Sequence, residues 1–77
     1  MTDKIYEILN QIRPEVDFKE SKDFIEDGFL DSYDVVSLVS ELEDAFGILI
    51  NALDIVPENF NTVDNIIKVI KKAEAEA

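Results

Sequence analysis

One serine in this chain is placed where its hydroxyl could take part in chemistry. Ser32 lies in the stretch GFLDSYDVVSL, residues 28–38, between an apolar pair and a run that repeats apolar residues at helical spacing. The chain contains no cysteine and no histidine, so it has neither a thiol nucleophile nor an imidazole base. We therefore expect any chemistry at Ser32 to be performed by a partner or by a group added to the chain.

The neighbours of Ser32 predict how it is held. If Ser32 were the helix cap, Val35 would stand where a reciprocal hydrogen-bonding acid is expected. If Asp31 is the cap, Asp34 becomes a favourable first-turn acid, and Leu30 pairs with Val35 as a hydrophobic staple. The second frame leaves the Ser32 hydroxyl free at a helix end that favours an anion such as a phosphate ester. An unmodified serine that only begins a helix is the alternative interpretation.

Apolar periodicity predicts an all-α protein. Apolar residues recur at helical spacing in three segments, which are Ile5, Ile8, Leu9 and Ile12; Val35, Leu38, Val39, Leu42, Ala45 and Phe46; and Val63, Ile66, Ile67, Ile70 and Ala73. These stripes predict a first helix from about Asp3 to Arg13, a second ended by Gly47 and a last one capped by Thr62. The residues around Glu76 are predicted to form a frayed tail.

Two further segments complete the predicted fold. The connection from Pro14 to Asp31 is rich in apolar residues without a sustained period, which indicates a loop packed onto the core. The stretch PENF, with Pro57 at a first helical position, predicts a short additional turn. We therefore predict a four-helix bundle with a long loop between helices one and two and a short third helix.

Length and composition indicate one small domain, residues 1–77, without an enclosed active site. A chain of 77 residues buries only about 60% of the surface that its unfolded form exposes, which disfavours an enzyme. No apolar run approaches the ~20 residues of a membrane span, and no signal segment begins the chain. We expect a cytoplasmic monomer.

Negative charge is concentrated in the segment around Ser32. Residues 23–67 contain 11 acidic side chains and no lysine or arginine, and this segment accounts for the whole net charge of −11. Such a field repels nucleic acid and anionic membranes and attracts basic protein surfaces. We expect a protein partner with a basic docking surface, although acidity that only keeps a small protein in solution is the alternative.

The stretch FIEDGFLDSYDVVSLVSELEDAFGILI, residues 24–50, resembles the attachment region of the acyl carrier protein family. It has the Asp-Ser pair, an acidic amphipathic helix after it and the E-D-x-F-G-I ending, and the flanking segments follow the family's order. The resemblance implies that a phosphopantetheinyl transferase attaches 4'-phosphopantetheine from coenzyme A to Ser32, with Asp31 as the cap beside it. The thiol of that arm would carry an acyl or aminoacyl group as a thioester, so the expected function is that of a carrier rather than an enzyme.

The form D-G-x-L-D-S is more similar to D-alanyl carrier proteins and stand-alone carriers served by an adenylating ligase. Fatty acid carriers usually have glycine three residues before the serine, whereas Gly28 lies four before it. Tyr33 replaces the usual leucine or methionine, and Ser37 and Ser40 stand where fatty acid carriers often have acids or large apolar residues. These departures imply loading by an adenylating ligase, and a fatty acid synthesis carrier served by an acyltransferase is the alternative.

Partner contacts are expected along the second helix. Val36 falls outside the core stripe and one turn from Ser32, which suits an apolar contact beside the arm, although a singly exposed valine needs no explanation. The resemblance implies that partner enzymes recognise the chain through Tyr33 and the acids of this helix, which are Asp34, Glu41, Glu43 and Asp44.

Two other classes of function remain to be weighed. The stretch DFIEDGFLDSYD matches a calcium loop in part, but Ile25 occupies a ligand position and Asp34 stands where a bidentate glutamate is expected. We therefore predict no metal site. An acidic interaction module that carries nothing is the other alternative.

Overall fold

Three α-helices form where the apolar stripes predict them. The computed structural model describes residues 1–76, which contain α1 (Thr2–Ile12), α2 (Ser32–Phe46) and α3 (Val63–Glu76). No strand forms among these residues, so the all-α prediction is confirmed. None of the helices in residues 1–76 combines the length and the apolar character needed to cross a membrane.

Local chemistry explains the helix ends. Arg13 leaves the helical region with φ −134°, directly before Pro14, and so ends α1. Gly47 ends α2 with φ +63°, in the left-handed region that glycine adopts without strain. The backbone N–H of Asn65 donates to Thr62 Oγ1 over 3.1 Å, so Thr62 caps α3 as predicted.

The C-terminal end of α3 differs from the prediction. The helix continues through Glu76, where a frayed tail was expected. A carboxylate oxygen of Glu76 lies 3.9 Å from Lys72 Nζ, the i,i+4 spacing that supports a helix. Residues 73–76 alternate alanine and glutamate, which are good helix formers.

The predicted short third helix is a single 3₁₀ turn. It spans Pro57–Asn59, and two similar turns span Phe18–Glu20 and Ala52–Asp54. The PENF stretch buries one side chain, Phe60, rather than an apolar stripe, so no packing extends the turn into an α-helix. The described residues therefore contain three α-helices, where the sequence predicted four helical segments.

The core lies between the helices and is closed by the loops. α1 packs against both α2 and α3, and α3 also packs against the Pro57–Asn59 turn. The buried face of α3 includes Val69, which the predicted stripe lacks, whereas Ile67 of that stripe is only half-buried. In the last turn of α2 the buried face narrows, so Ala45 is exposed and Phe46 is only half-buried.

Aromatic packing fixes the long loop before α2. The Phe18 ring meets the rings of Phe24 and Phe29 edge to face, with centroids 5.1 and 5.9 Å apart. Phe18 and Phe24 are fully buried, as the prediction of a packed loop requires. Gly28 has φ +75°, which lets the chain reverse between Asp27 and Phe29.

The same loop delivers the residues that precede Ser32. The backbone carbonyl of Phe24 accepts from the N–H groups of Phe29 and Leu30 over 2.8 and 3.0 Å. Leu30 is thereby buried, and Asp31 follows it at the surface. The start of α2 is thus anchored by packing on one side and open to solvent on the other.

One ion pair ties the acidic segment to the end of the chain. Lys72 Nζ lies 2.9 Å from the Asp54 carboxylate, and this hydrogen bond raises the pKa of Lys72. The pair joins the Ala52–Asp54 turn to α3.

Candidate functional site

Ser32 is the first residue of α2 and is exposed. Asp31 precedes it with extended backbone and caps the helix, because its Oδ1 accepts from the backbone N–H of Asp34 over 2.9 Å. Asp34 Oδ2 accepts in return from the backbone N–H of Asp31 over 3.1 Å. These bonds form a full capping box. Asp31 is therefore the helix cap, which is the second of the two arrangements considered from the sequence. The reciprocal hydrogen bond to Asp34 was not part of that prediction.

The capping box leaves the Ser32 hydroxyl unused. Its two side-chain bonds are made by Asp31 and Asp34, and Ser32 stands between them with its side chain toward solvent. The first N–H groups of a helix have no intrahelical partner, and together with the helix dipole they favour an anion. An ester of phosphoric acid on Ser32 would therefore be placed at a favourable end of the helix.

Asp31 is held as a carboxylate. The backbone N–H of Asp34 donates to it, and this bond lowers the pKa of Asp31 below its ordinary value. A carboxylate with a lowered pKa is a weak base, so Asp31 is poorly suited to remove the proton from the Ser32 hydroxyl. Its position explains capping rather than acid–base chemistry.

Arg13 is a member of this site that the sequence did not predict. Its Nε donates to Asp34 Oδ2 over 3.1 Å, and its Nη1 donates to Glu15 Oε2 over 3.1 Å. The contact joins the C-terminal end of α1 to the first turn of α2. Arg13 and Asp34 are 21 residues apart in the chain, so no local sequence pattern predicts their contact. Arg13 lies beside the site because the two helices pack together.

An apolar groove of about 370 Å³ lies beside Ser32. Aliphatic side chains from the loop, from α2 and from the segment after Ala52–Asp54 line it, together with a proline: Ile25, Leu30, Val35, Val36, Ile55 and Pro57. Such a lining accepts a chain with methyl and methylene groups. A larger groove, of about 730 Å³, lies at the opposite end of α2 and includes Glu43, Asp44 and Glu76.

The predicted partner residues divide into exposed and internally engaged ones. Tyr33 is 85% exposed and Val36 65%, and Glu41 and Asp44 are also exposed. Tyr33 and Val36 lie three residues apart on α2, so they adjoin on one face next to Ser32.

Two of the predicted partner acids have structural roles. The Asp34 side chain is only 16% exposed and is bonded to Arg13 and to the Asp31 backbone. Glu43 is half-buried, and its Oε2 accepts from the backbone N–H of Ile50 over 2.9 Å. Glu41 and Asp44 are therefore the acids of α2 that remain most available to a partner.

The calcium-loop alternative finds no support in the geometry. Asp23 Oδ1 accepts from the backbone N–H groups of Ile25 and Glu26, and Asp27 Oδ2 accepts from Ser21 Oγ over 2.6 Å. The Asp23 carboxylate thus caps a turn within the loop, and the Asp27 carboxylate bonds a side-chain hydroxyl of the same loop. Across the described part of the chain, no group of acidic side chains is placed to hold a metal ion.

Comparison with known proteins agrees with this geometry. Residues 3–70 match the family model described as "Phosphopantetheine attachment site". The chain is also similar to the D-alanyl carrier protein of Lactococcus lactis subsp. lactis (strain IL1403), with 30% identity over 78 residues, and the match covers 99% of each chain. No solved structure matches the chain.

Proposed function

The chain belongs to the family of proteins with a phosphopantetheine attachment site, and we propose that Ser32 is the residue that bears the group. The protein is an acyl or aminoacyl carrier, and its prosthetic group is 4'-phosphopantetheine. When attached, this group supplies the thiol that holds the cargo as a thioester. The observation that supports Ser32 is its exposed hydroxyl at the start of α2, outside the Asp31–Asp34 capping box.

The residues around Ser32 fit such a group. The hydroxyl is accessible to a transferase, and the N-terminal end of α2 favours the charge of a phosphodiester. The apolar groove beside it, with Val36, Ile55 and Pro57, suits the hydrocarbon part of the arm. Measurement of the intact mass after incubation with coenzyme A and a broad-specificity phosphopantetheinyl transferase tests this assignment. An acidic interaction module that carries nothing would not change in mass.

We infer that the chain catalyses neither the attachment nor the loading. It lacks cysteine and histidine, and the carboxylate nearest in sequence to Ser32, that of Asp31, is committed to the helix cap. A phosphopantetheinyl transferase and a loading enzyme would supply the chemistry. Both use coenzyme A or ATP, and the cytoplasm is the location that suits them.

The Pro57–Asn59 turn takes the place of the short third helix in the four-helix arrangement that we infer for the fold.

We propose that an ATP-dependent adenylating ligase loads the carrier with an amino acid or a small carboxylic acid. The similarity to a D-alanyl carrier protein makes D-alanine the first cargo to test. The exposed surface of α2 offers the hydroxyls of Ser37 and Ser40 in its middle, where fatty acid synthase enzymes would meet little charge. Because Asp34 and Glu43 are engaged internally, this surface is less acidic than the sequence alone indicates.

The phosphopantetheinylated protein is expected to be loaded with D-alanine, or with another small amino acid, by an adenylating ligase and ATP. Malonyl transferase and fatty acid elongation enzymes are expected to use it poorly. A side-by-side loading assay with both classes of enzyme, followed by mass measurement of the thioester, checks this expectation. Efficient malonyl loading and elongation without turnover by any ligase would instead assign the protein to fatty acid synthesis.

We propose that partners dock on the face of α2 that contains Tyr33, Val36, Ser40 and Asp44. These residues are exposed and follow one another at intervals of three and four, so they share one side of the helix. A partner with a basic surface and an apolar contact near Ser32 would complement this face.

Reversal of charge at Asp44 is expected to slow loading by about 3- to 10-fold at low salt, because a charge at the rim of an interface mainly affects association. Asp44→Lys is a cleaner probe than Glu43→Lys, since Glu43 also holds the Ile50 backbone. Glu74→Lys makes the same change of charge on an exposed position of α3 and is the matched control. Initial loading rates at low and high salt are the measurement, and added salt should narrow the difference by screening. Equal effects of the two variants would show that only total charge matters.

A further inference from the structure

Attachment at Ser32 would add negative charge to a surface that is already acidic. Asp31 and Asp34 flank Ser32 along the chain, and residues 23–67 contain no lysine or arginine. A phosphodiester on Ser32 is a further anion, and like charges at this spacing repel one another. The helix dipole offsets part of this repulsion, because Ser32 lies in the first turn of α2.

The fold brings one cation from outside the acidic segment to this point. Arg13 lies at the C-terminal end of α1, and its guanidinium bonds Asp34 Oδ2 over 3.1 Å. The same oxygen accepts from the backbone N–H of Asp31, so the guanidinium contacts the capping box itself. The side chain of Arg13 is 32% exposed and that of Asp34 is 16% exposed, which limits the screening of this pair by solvent.

We propose that Arg13 is a positioning residue for the phosphodiester on Ser32. Its charge offsets that of Asp34, so that the first turn of α2 accepts a second anion without losing its cap. This inference rests on the proposed attachment at Ser32. Arginine suits the role because its planar guanidinium stays charged and can bond two acceptors at once, as it does here with Asp34 and Glu15.

A purely structural role for Arg13 makes a different prediction from an electrostatic one. If the guanidinium only joins α1 to α2, its loss lowers the stability of the unmodified and the phosphopantetheinylated proteins by the same amount. If it compensates the charge of the phosphodiester, its loss lowers the stability of the modified protein more. The extra loss depends on salt, because it arises from charge repulsion.

The test compares the melting temperatures of the unmodified and modified forms of the wild type, Arg13→Gln and Arg13→Lys at low and high salt. Lys72→Gln is the matched control, because it removes an ion pair with Asp54 of similar length, 2.9 Å, that does not involve the Asp31–Asp34 capping box. At low salt we expect Arg13→Gln to lower the melting temperature of the modified form by roughly 2 to 4 °C more than that of the unmodified form. Arg13→Lys should retain most of the wild-type difference, and high salt should reduce the extra loss.

Two results would overturn the inference in distinguishable ways. Equal losses in both forms of Arg13→Gln, as expected for Lys72→Gln, would show that the residue is only a structural contact while the attachment at Ser32 stands. A wild-type protein that the transferase cannot modify, or that is modified elsewhere, would overturn the proposed attachment and the role of Arg13 with it.

Discussion

Replacement of Ser32 by alanine is expected to abolish attachment of the prosthetic group completely. The wild type should gain one phosphopantetheinyl group on incubation with coenzyme A and a broad-specificity transferase, and Ser32→Ala should gain none. The reason is geometric, because Ser32 is an exposed serine at the junction of the packed loop and α2. Intact-mass measurement of both proteins gives the result directly.

The variant should stay folded, which makes a negative result interpretable. The cap of α2 depends on the Asp31 and Asp34 side chains and not on the Ser32 hydroxyl, so Ser32→Ala should have a circular dichroism spectrum and a melting temperature close to those of the wild type. Ser37→Ala and Ser40→Ala are the matched controls, since both serines are exposed but lie within α2. They should be modified like the wild type. Labelling of Ser32→Ala, or a second modified serine in the wild type, would contradict the assignment.

Replacement of Leu42 by alanine is expected to lower the free energy of unfolding by about 2 to 5 kcal/mol. Leu42 has no exposed surface and lies in the buried stripe of α2, a helix that packs against α1. The loss combines the transfer of apolar atoms out of the core with the cavity that remains. It is a large share of the roughly 5 kcal/mol at the lower end of the range for folded domains, so the variant should be partly unfolded at physiological temperature.

Leu53→Ala is the matched control, because it makes the same chemical change at a leucine that is 86% exposed in the Ala52–Asp54 turn. Its free energy of unfolding should differ from that of the wild type by about 0.5 kcal/mol or less. Urea unfolding followed by circular dichroism measures both variants. Similar losses at the two leucines would mean that the stripe of α2 is not the face that holds the bundle together.

Helix positions and caps were predictable because their signals are local. Pro14 and Gly47 end helices through the conformations of single residues, and the choice between Ser32 and Asp31 as cap depended on side chains within three positions. Most of the core followed from the apolar stripes, since a helix repeats its buried face every three to four residues. Ser32 could be proposed as the attachment residue for the same reason, since the Asp-Ser pair and the amphipathic helix after it are contiguous in the chain.

Contacts between distant segments followed no local rule. The PENF stretch contains the residues of a turn, yet whether the turn lengthens into an α-helix depends on what packs beside Phe60. Val69 is buried on α3, and α3 packs against both α1 and the Pro57–Asn59 turn. Neither outcome is encoded in the spacing of neighbouring residues.

The acidic residues show most clearly the difference between what the local sequence predicts and what depends on the fold. Composition and helical spacing are properties of the chain, so they were enough to predict that acidic residues surround Ser32 and that Asp31 and Asp34 lie within one turn of it. Which of these acids remain available to a partner depends on contacts that form when the chain folds. Packing of α1 against α2 brings Arg13 into contact with Asp34. The chain that follows α2 folds back so that the backbone N–H of Ile50 donates to Glu43. Glu41 and Asp44 remain exposed. An ion pair forms where folding brings two opposite charges within about 4 Å, and that distance depends on the path of the whole chain rather than on either residue.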